Sequence, residues 1–307
     1  MEKVVLIFGP TGVKKSEVSI KLAQGVGEII SADSMQIYRD MNIGTAKVSK
    51  EERKIVPHHL IDIIDPDTSF TVYDFCNEAI KLIKQISDRG KIPFIVGGTG
   101  LYFKALVDGL FDGPTRNSNI RDNLELLANE KGNIFLHNKL KDIDPQSASK
   151  IHINDKKRII RALEVFELTQ KPISDLWKRK SNKNPFNFLK IGLTGLREEL
   201  YTRINGRCDK MLNDGFVNEV RKLKDFGYHS NLQSMQAIGY KHIYKYLNNE
   251  LDYDEMLRQF KRDSRRYAKR QWTLFLRFTD THWYTADKIL DIMSLVNNFI
   301  EQEIPVN

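Results

Sequence analysis

The N-terminal stretch constrains the fold of this chain most strongly. Val4 to Phe8 is an unbroken apolar run rich in β-branched residues, which is typical of a strand buried on both faces of a parallel sheet. The run leads into the string Gly9-Pro10-Thr11-Gly12-Val13-Lys14-Lys15-Ser16, and Glu17 to Gln24 then has the character of a helix. A strand, a glycine-rich turn and a helix in this order predict a loop that holds phosphate groups.

The glycine-rich string agrees with the phosphate-loop pattern G-x-x-x-x-G-K-[ST] at every fixed position except one. In such a loop, backbone N–H groups face the phosphate oxygens, the lysine adds a positive charge and the hydroxyl reaches Mg²⁺. We therefore predict Ser16 as a Mg²⁺ ligand and a phosphate-binding segment made of Gly9, Pro10, Thr11, Gly12, Val13, Lys14, Lys15 and Ser16. An ordinary glycine-rich turn between a strand and a helix is the alternative.

Lys14 is the exception, because it stands where the pattern has its last glycine. A side chain at this position either crowds the phosphates or points outward and adds positive charge. The sequence leaves both alternatives open.

Composition excludes several classes of protein. Hydrophobic residues make up 41% and charged residues 29% of the 307 residues, which is typical of a globular chain and not of a disordered one. No segment reaches the roughly 18 to 20 unbroken apolar residues of a membrane helix, and no signal-peptide layout is seen, so we expect a cytoplasmic protein without membrane contact.

Cys76 and Cys208 lack a CxxC partner or a histidine at ligand spacing, so we expect buried thiols. The net charge of +8 points weakly to nucleic acid or phosphate ligands.

Strands alternate with helices in the first part of the chain. Glu28 to Ala32 and Pro93 to Val96 are further candidate strands, and a helical pattern from about Val72 to Ser87 lies between them. This alternation predicts an α/β fold, a P-loop NTPase-like parallel sheet flanked by helices, with ligands beyond the carboxyl ends of the strands. Polar clusters follow two of these strands, Asp33-Ser34 and Gly97-Gly98-Thr99-Gly100.

The character of the chain changes further on. From about Arg116 to Lys183 the segments are helical and polar, which suggests an inserted helical module. Lys190 to Leu196 again resembles a strand, and everything from Glu198 onward is predicted to be helical. We therefore predict a catalytic core of residues 1–115 and 185–307 and an insertion domain of residues 116–184, in a protein that we expect to be a monomer.

Three sets of polar residues are considered as catalytic, diphosphate-binding or metal-binding groups. Asp33, at the end of the second strand, can accept a proton from an attacking amine or hold a metal ion, although capping the next helix is the alternative. Arg203 and Arg207 share one face of a predicted helix, where they either clamp a diphosphate or form a solvated face. His58-His59 does not predict a metal site, because adjacent residues of an extended segment point to opposite faces.

A basic segment follows near the C-terminal end. Between Arg258 and Arg270, seven of thirteen residues are basic and Asp263 alone is acidic. We predict that this helix contacts a phosphate backbone, because its charge is dense and no paired acids accompany it, with Tyr267 and Trp272 as neighbouring aromatic surface.

Strings along nearly the whole chain resemble the tRNA dimethylallyltransferase family, which prenylates adenosine next to the anticodon. They run in order from about Gly9 to Arg277 and comprise GPTGVKKS, ISADSMQIYRDMNIGTAK, HHLIDIIDP, PFIVGGTGLYFKAL, DPQSASKIHINDKKRIIRALEV, GFVNEVRKL, AIGYK and AKRQW. Each string alone is weak evidence for this family, but the whole series in this order is specific to it. Gln236 departs from a common arginine of the family, and the segment from Trp272 to Arg277 departs from its usual string.

The resemblance implies roles for residues of this chain. Thr11 to Ser16 would bind dimethylallyl diphosphate with Mg²⁺, and Asp33 would take the proton from the exocyclic amine of the target adenine. Thr99 and Arg207 would be further catalytic residues. The tRNA anticodon stem-loop would contact the insertion domain and a set of residues along the chain, namely Asp33, Ser34, Met35, Gln36, Thr99, Arg121, Lys157, Arg158, Ile159, Ile160, Arg161, Gln236, Ala237, Ile238, Gly239, Tyr240, Lys241, Lys269 and Arg270.

The sequence leaves two other functions open. A small-molecule kinase or a prenyltransferase acting on free nucleotides would use the same nucleotide-binding loop, but such an enzyme needs neither the basic helix nor the inserted module. An RNA-binding protein with a decayed active site is suggested by Lys14, and the presence of Lys15, Ser16, Asp33 and Thr99 argues against it.

Overall fold

A computed structural model of the chain describes residues 1–109, 113–178 and 185–302. Its contacts divide the chain into two compact units, one of residues 1–104 and 185–307 and the other of residues 105–184. The polar stretch at 179–184 lies outside the described residues. Within the described ranges, no helix combines the length and the apolar character needed to cross a bilayer.

Parallel strands form the centre of the first unit. They are β1 (Lys3–Phe8), β2 (Gly27–Ala32), β3 (His58–His59), β4 (Ile92–Gly97), β5 (Asn187–Thr194) and β6 (Thr281–Thr285). Their order across the sheet is β3-β2-β4-β1-β5-β6, and each neighbouring pair is parallel. The predicted fold class, a parallel sheet flanked by helices, is therefore confirmed.

The helices are, in chain order, α1 (Lys15–Ala23), α2 (Lys50–Ile55), α3 (Val72–Asp88), α4 (Gly100–Asp108), α5 (Ser118–Ile143), α6 (Pro145–Ala148), α7 (Lys156–Thr169), α8 (Ile173–Lys178), α9 (Arg197–Asn213), α10 (Phe216–Asp225), α11 (Tyr240–Leu247), α12 (Tyr253–Phe275) and α13 (Ile289–Glu301). Helices α5 to α8 belong to the second unit, and the boundary between the units falls within α4.

The core explains the position of the first strand. Val4 to Phe8 are completely buried, because β1 lies between β4 and β5 and is covered on both faces. Phe8 ends the strand in an aromatic cluster in which it stacks on Phe275 at 4.8 Å between ring centroids and contacts Phe278 and Trp283. This cluster fixes the last turns of α12 beside the loop that follows β1.

The prediction that the chain is helical from Glu198 onward was wrong at β6. This strand pairs with β5, and its residues are half-buried or exposed, so it lacks the apolar run that indicates a buried strand in the sequence. Gly192 of β5 makes room for it, since a Cβ atom there would lie 2.4 Å from the ring of Trp283. The pairing is therefore decided by a contact between distant segments.

The second unit has its own hydrophobic core. Helix α5 is interrupted at Gly132, which has a φ of 81° and a ψ of 163°, and its two parts pack on α7. The core side chains are Leu124, Ala128, Leu136, Leu140, Ala148, Ile151, Ile159, Ile160, Ala162, Leu163, Val165, Ile173 and Leu176.

Candidate active site

A cavity of about 710 Å³ lies in the first unit, where the loops after β1, β2 and β4 meet. Residues from three of the polar clusters seen in the sequence line it, including Lys15, Asp33 and Gly98. Helix α9 contributes Arg203 and Arg207. The carboxyl ends of neighbouring parallel strands thus bring together groups that are far apart along the chain.

The loop after β1 presents one side to this cavity. Thr11, Gly12, Lys14, Lys15 and Ser16 line the cavity, whereas Gly9, Pro10 and Val13 are buried behind them. Gly9 is required by close packing, because a Cβ atom at this position would lie 2.3 Å from the carbonyl oxygen of Leu193.

Lys15 is held at the base of the loop. Its Nζ donates to the carbonyl oxygens of Gly9, at 3.0 Å, and Pro10, at 2.8 Å. Burial, together with the positive charge of Arg207, lowers the pKa of Lys15 to about 7, and the negative charge of Asp33 opposes both effects. The charged form of Lys15 is therefore disfavoured by its surroundings.

Lys14 adopts the left-handed backbone conformation, with a φ of 65° and a ψ of 33°, at the N-terminus of α1. This conformation explains why the phosphate-loop pattern has glycine here. The side chain borders the cavity but extends into solvent, as in the second of the two alternatives left open by the sequence: it is 54% exposed, and its ammonium lies 3.9 Å from the Glu17 carboxylate.

We expect Lys14→Gly to leave the free energy of unfolding unchanged or to raise it by up to about 1 kcal/mol. Relief of the left-handed strain is offset by the larger conformational entropy of glycine in the unfolded chain. Lys21→Gly, within α1, is the matched control and should cost about 1 kcal/mol, because its backbone is helical. If denaturant titrations showed that both variants lose the same free energy of unfolding, this explanation of position 14 would be contradicted.

Asp33 lies in a turn directly after β2. Its Oδ1 accepts a hydrogen bond from the Met35 N–H at 2.9 Å, so the carboxylate orders its own turn and does not cap a helix. The next N–H, that of Ser34, donates to Thr99 Oγ1 at 3.0 Å. Thr99 therefore connects the turn after β4 to the turn after β2. Its hydrogen-bond partner, Ser34, is the residue that follows Asp33.

The two arginines of α9 both contact the loop after β1. Arg207 donates to Thr11 Oγ1 at 2.9 Å, and Arg203 donates to the Gly12 carbonyl oxygen at 3.4 Å. Arg203 also forms an ion pair with Glu199 at 2.8 Å, whereas Arg207 is more deeply buried, and burial lowers its pKa. An arginine remains protonated under these conditions, so Arg207 directs a permanent charge at the cavity.

Gln271 was missed in the sequence, although it connects both sides of the cavity. Its Oε1 accepts from the Thr11 N–H at 2.8 Å, and its Nε2 donates to the Gly98 carbonyl oxygen at 2.9 Å. Gly98 allows this approach, because a Cβ atom there would lie 2.3 Å from Nε2. The sequence did contain a signal for Gln271. It is a polar residue on the face of α12 that is buried, which comprises Ser264, Ala268, Gln271 and Phe275.

The prediction that the basic segment has no paired acids was wrong. Arg258 pairs with Glu255, Lys261 with Asp209, and Arg262 with Asp263, at 2.6 to 3.0 Å. Asp209 comes from α9 and Glu255 lies just before the segment, so a count within the segment could not include them. Lys269 and Arg270 are exposed and have no ion pair among the described residues, and Arg270 lies over the Tyr267 ring at 5.7 Å.

The predicted stretch from Gln236 to Lys241 reaches the same cavity. Gln236, Ala237, Ile238, Tyr240 and Lys241 line it, and Gly239 is buried. Ser34, Met35 and Gln36 line it as well.

The other predicted contacts lie in the second unit. Arg121 and Arg161 both donate to the buried carboxylate of Glu164, at 2.9 and 2.7 Å, and the contact from Arg121 joins α5 to α7. Ile159 and Ile160 belong to the core of this unit, so the expectation that they contact tRNA does not hold for their side chains. Lys157 and Arg158 are exposed, and Arg158 pairs with Asp155 at 3.4 Å.

The likeness to known proteins extends over the whole chain. The family model described as IPP transferase matches residues 36–278, and another, described as Isopentenyl transferase, matches residues 2–62. A tRNA dimethylallyltransferase of Acetivibrio thermocellus is 47% identical over 302 residues, which are 97% of this chain and 96% of that protein. One from Carboxydothermus hydrogenoformans is 50% identical over 290 residues, covering 94% and 93% of the two chains.

Solved structures agree with these sequence comparisons. The full-length tRNA isopentenylpyrophosphate transferase of Bacillus halodurans has a TM-score of 0.74 at 44% identity, covering 98% of this chain and 97% of that one. A eukaryotic dimethylallyltransferase acting on tRNA has a TM-score of 0.83 at 30% identity, covering 100% and 82%. The resemblance seen in the sequence is thereby confirmed, and the chain belongs to the tRNA dimethylallyltransferase family of prenyl-transferring enzymes.

Proposed function

We propose that this enzyme transfers a dimethylallyl group from dimethylallyl diphosphate to the exocyclic amine of the adenosine adjacent to the anticodon in tRNA. The observation that carries the proposal is the shared cavity, in which the loop after β1 and Arg207 face the Asp33 turn. One side of the cavity offers the cations Lys15 and Arg207 for a leaving diphosphate. The other offers a carboxylate for the proton of an attacking amine.

The reaction balances with these groups. The adenine exocyclic nitrogen forms a bond to the allylic carbon, the bond between that carbon and the diphosphate oxygen breaks, and diphosphate leaves with the electron pair. The amine proton passes to the Asp33 carboxylate. Lys15 and Arg207 stabilise the negative charge that develops on the leaving group, and Thr99 holds the Asp33 turn in place.

The residues present fit a Mg²⁺ ion that is bound mainly through the substrate. Ser16 offers a hydroxyl at the cavity wall, and the described residues contain no group of three or more acidic, histidine or cysteine side chains able to hold a metal ion. Mg²⁺ commonly binds through substrate phosphates, water and few protein oxygens, so Ser16 would be its protein ligand. When bound, the ion would neutralise charge on the leaving diphosphate.

A polynucleotide acceptor is supported by the basic residues around the cavity. Arg270 and Lys241 line it, and Lys269 is exposed next to Arg270. Lys157 and Arg158 offer further positive charge on the second unit. The target base must leave its stack to reach a cavity of this kind, and phosphate contacts around the rim would hold the flanking nucleotides.

Transfer of a radiolabelled dimethylallyl group tests the proposal. The enzyme is incubated with labelled dimethylallyl diphosphate, Mg²⁺ and either undermodified tRNA or AMP. We expect label in tRNA only. Label in AMP would favour an enzyme of free nucleotides, and tRNA binding without any transfer would indicate a decayed active site.

The lowered pKa of Lys15 predicts that diphosphate binding takes up a proton. With a pKa of about 7, the side chain should be mostly neutral at pH 8 in the free enzyme, and a bound diphosphate anion should raise that pKa again. Affinity should therefore fall as the pH rises from 7 towards 9. Calorimetry at pH 8 in two buffers of different ionisation enthalpy measures the uptake. Equal binding heats in both buffers would contradict the prediction.

A further inference from the structure

Glu219 of α10 anchors a loop that forms part of the cavity wall. Its carboxylate accepts hydrogen bonds from the backbone N–H groups of Asn42, Ile43 and Gly44 at 3.0, 2.7 and 3.2 Å. The Tyr240 hydroxyl donates to the same carboxylate at 2.6 Å. Hydrogen bonds to an ionised carboxylate are stronger than those between neutral groups, so these contacts fix the loop firmly.

The anchored loop, residues 42–46, packs directly on the helix that carries Glu219. A Cβ atom at Gly44 would lie 2.2 Å from the ring of Phe216, so only glycine allows this approach. Gly44, Thr45 and Ala46 line the cavity, but Glu219 itself is not among the lining residues. Glu219 therefore acts on the cavity through the backbone of this loop.

The loop in turn holds Gln36. The Gln36 Nε2 donates to the carbonyl oxygens of Thr45 and Ala46, each at 3.3 Å, and its Oε1 accepts from Ser31 Oγ at 3.4 Å. Gln36 is buried and belongs to the turn that begins at Asp33. Contacts thus run without a gap from Glu219 through the loop to the Asp33 turn.

We propose that Glu219 is a positioning residue for the group transfer. It holds the loop of residues 42–46, and through Gln36 the Asp33 turn, in the conformation in which the Asp33 carboxylate faces the leaving diphosphate. This inference rests on the proposed role of Asp33. It predicts that Glu219 affects the transfer step and the ordering of the loop, while diphosphate binding at Lys15 is unchanged.

Glu219→Gln is the sharpest variant, because it keeps the shape of the side chain. An amide has one acceptor oxygen, and its NH₂ group would face N–H and O–H donors, so at least one contact becomes repulsive. We expect the single-turnover transfer rate to fall at least about tenfold and the dissociation constant of a non-reactive diphosphate analogue to change less than about twofold. Asp225→Asn, at an exposed acid of the same helix, is the control and should change neither quantity.

Amide hydrogen exchange supplies a readout that does not depend on activity. In Glu219→Gln, peptides covering residues 33–36 and 42–46 should exchange faster, while those covering the loop at 9–16 should not. Unchanged exchange in both segments, or an unchanged transfer rate, would overturn the proposal. Asp33→Asn, measured in parallel, shows separately whether the proposed role of Asp33 fails.

Tyr240→Phe is a milder second variant, in case Glu219→Gln does not fold. It removes one donor and leaves the three backbone contacts, so we expect a loss of transfer rate of about twofold to tenfold. The double variant should be no slower than Glu219→Gln alone, because both substitutions act on one set of contacts. If the double variant lost transfer rate by the product of the two single-variant factors, the proposal would be overturned.

Discussion

Asp33→Asn is expected to lower the transfer rate by about a hundredfold to ten-thousandfold, the range that general base catalysis contributes. The amide cannot take the amine proton. It can still accept the Met35 N–H through its side-chain oxygen, so the turn after β2 should persist. Single-turnover transfer of labelled dimethylallyl groups to tRNA measures the loss, and equilibrium binding of a diphosphate analogue should remain within about threefold of the parent enzyme.

Asp40→Asn is the matched control for this experiment. Asp40 is exposed, lies a few residues further on and has a φ of 61°, a conformation that asparagine tolerates well. It should transfer at the rate of the parent enzyme. Retained transfer in Asp33→Asn would mean that another group accepts the proton.

Lys15→Met is expected to weaken diphosphate binding by at least about a hundredfold, since hydrogen bonds to a charged group contribute about 1.5 to 3 kcal/mol each. Methionine keeps the length of the side chain but cannot donate to a phosphate oxygen. The substitution also leaves the carbonyl oxygens of Gly9 and Pro10 without the donor that they have in the free enzyme. Calorimetric titration with a diphosphate analogue measures the change.

Lys14→Met separates this effect from a general loss of positive charge. Lys14 is the neighbouring lysine, but its ammonium is exposed and lies near Glu17. We expect its removal to change diphosphate affinity less than about fivefold, because exposed charges are screened by solvent. Similar losses in both variants would show that the loop attracts the anion by net charge and not through Lys15.

Stability should respond to pH through the same lysine. The pKa of Lys15 is lowered from its ordinary value of 10.5 to about 7 in the folded enzyme, so the unfolded chain binds more protons between these values. Stability therefore gains a contribution as the pH rises from 7 to about 10, and Lys15→Met should remove that gain.

The local patterns of the sequence were sufficient for much of the sheet. β1, β2 and β4 begin and end within about two residues of the predicted strands, because each is a short apolar run followed by a polar turn. The helix predicted from about Val72 begins at Val72, since the Thr71 hydroxyl accepts from the Asp74 N–H and the Asp74 carboxylate accepts from the Thr71 N–H. Cys76 and Cys208 are buried, as expected.

The sequence by itself determined the strand, loop and helix at the N-terminus, the family and the segments that carry polar groups, because these depend on residues close together in the chain or on the order of short strings along it. Only the tertiary structure decided that Gln271 joins Thr11 to Gly98, that Glu219 anchors residues 42–46 and that acids from other segments pair with the basic helix. It also decided that β6 completes the sheet and that Lys14 points outward. These features depend on which atoms of distant segments meet in the folded chain. No local periodicity records that information, because the partners are separated by many residues.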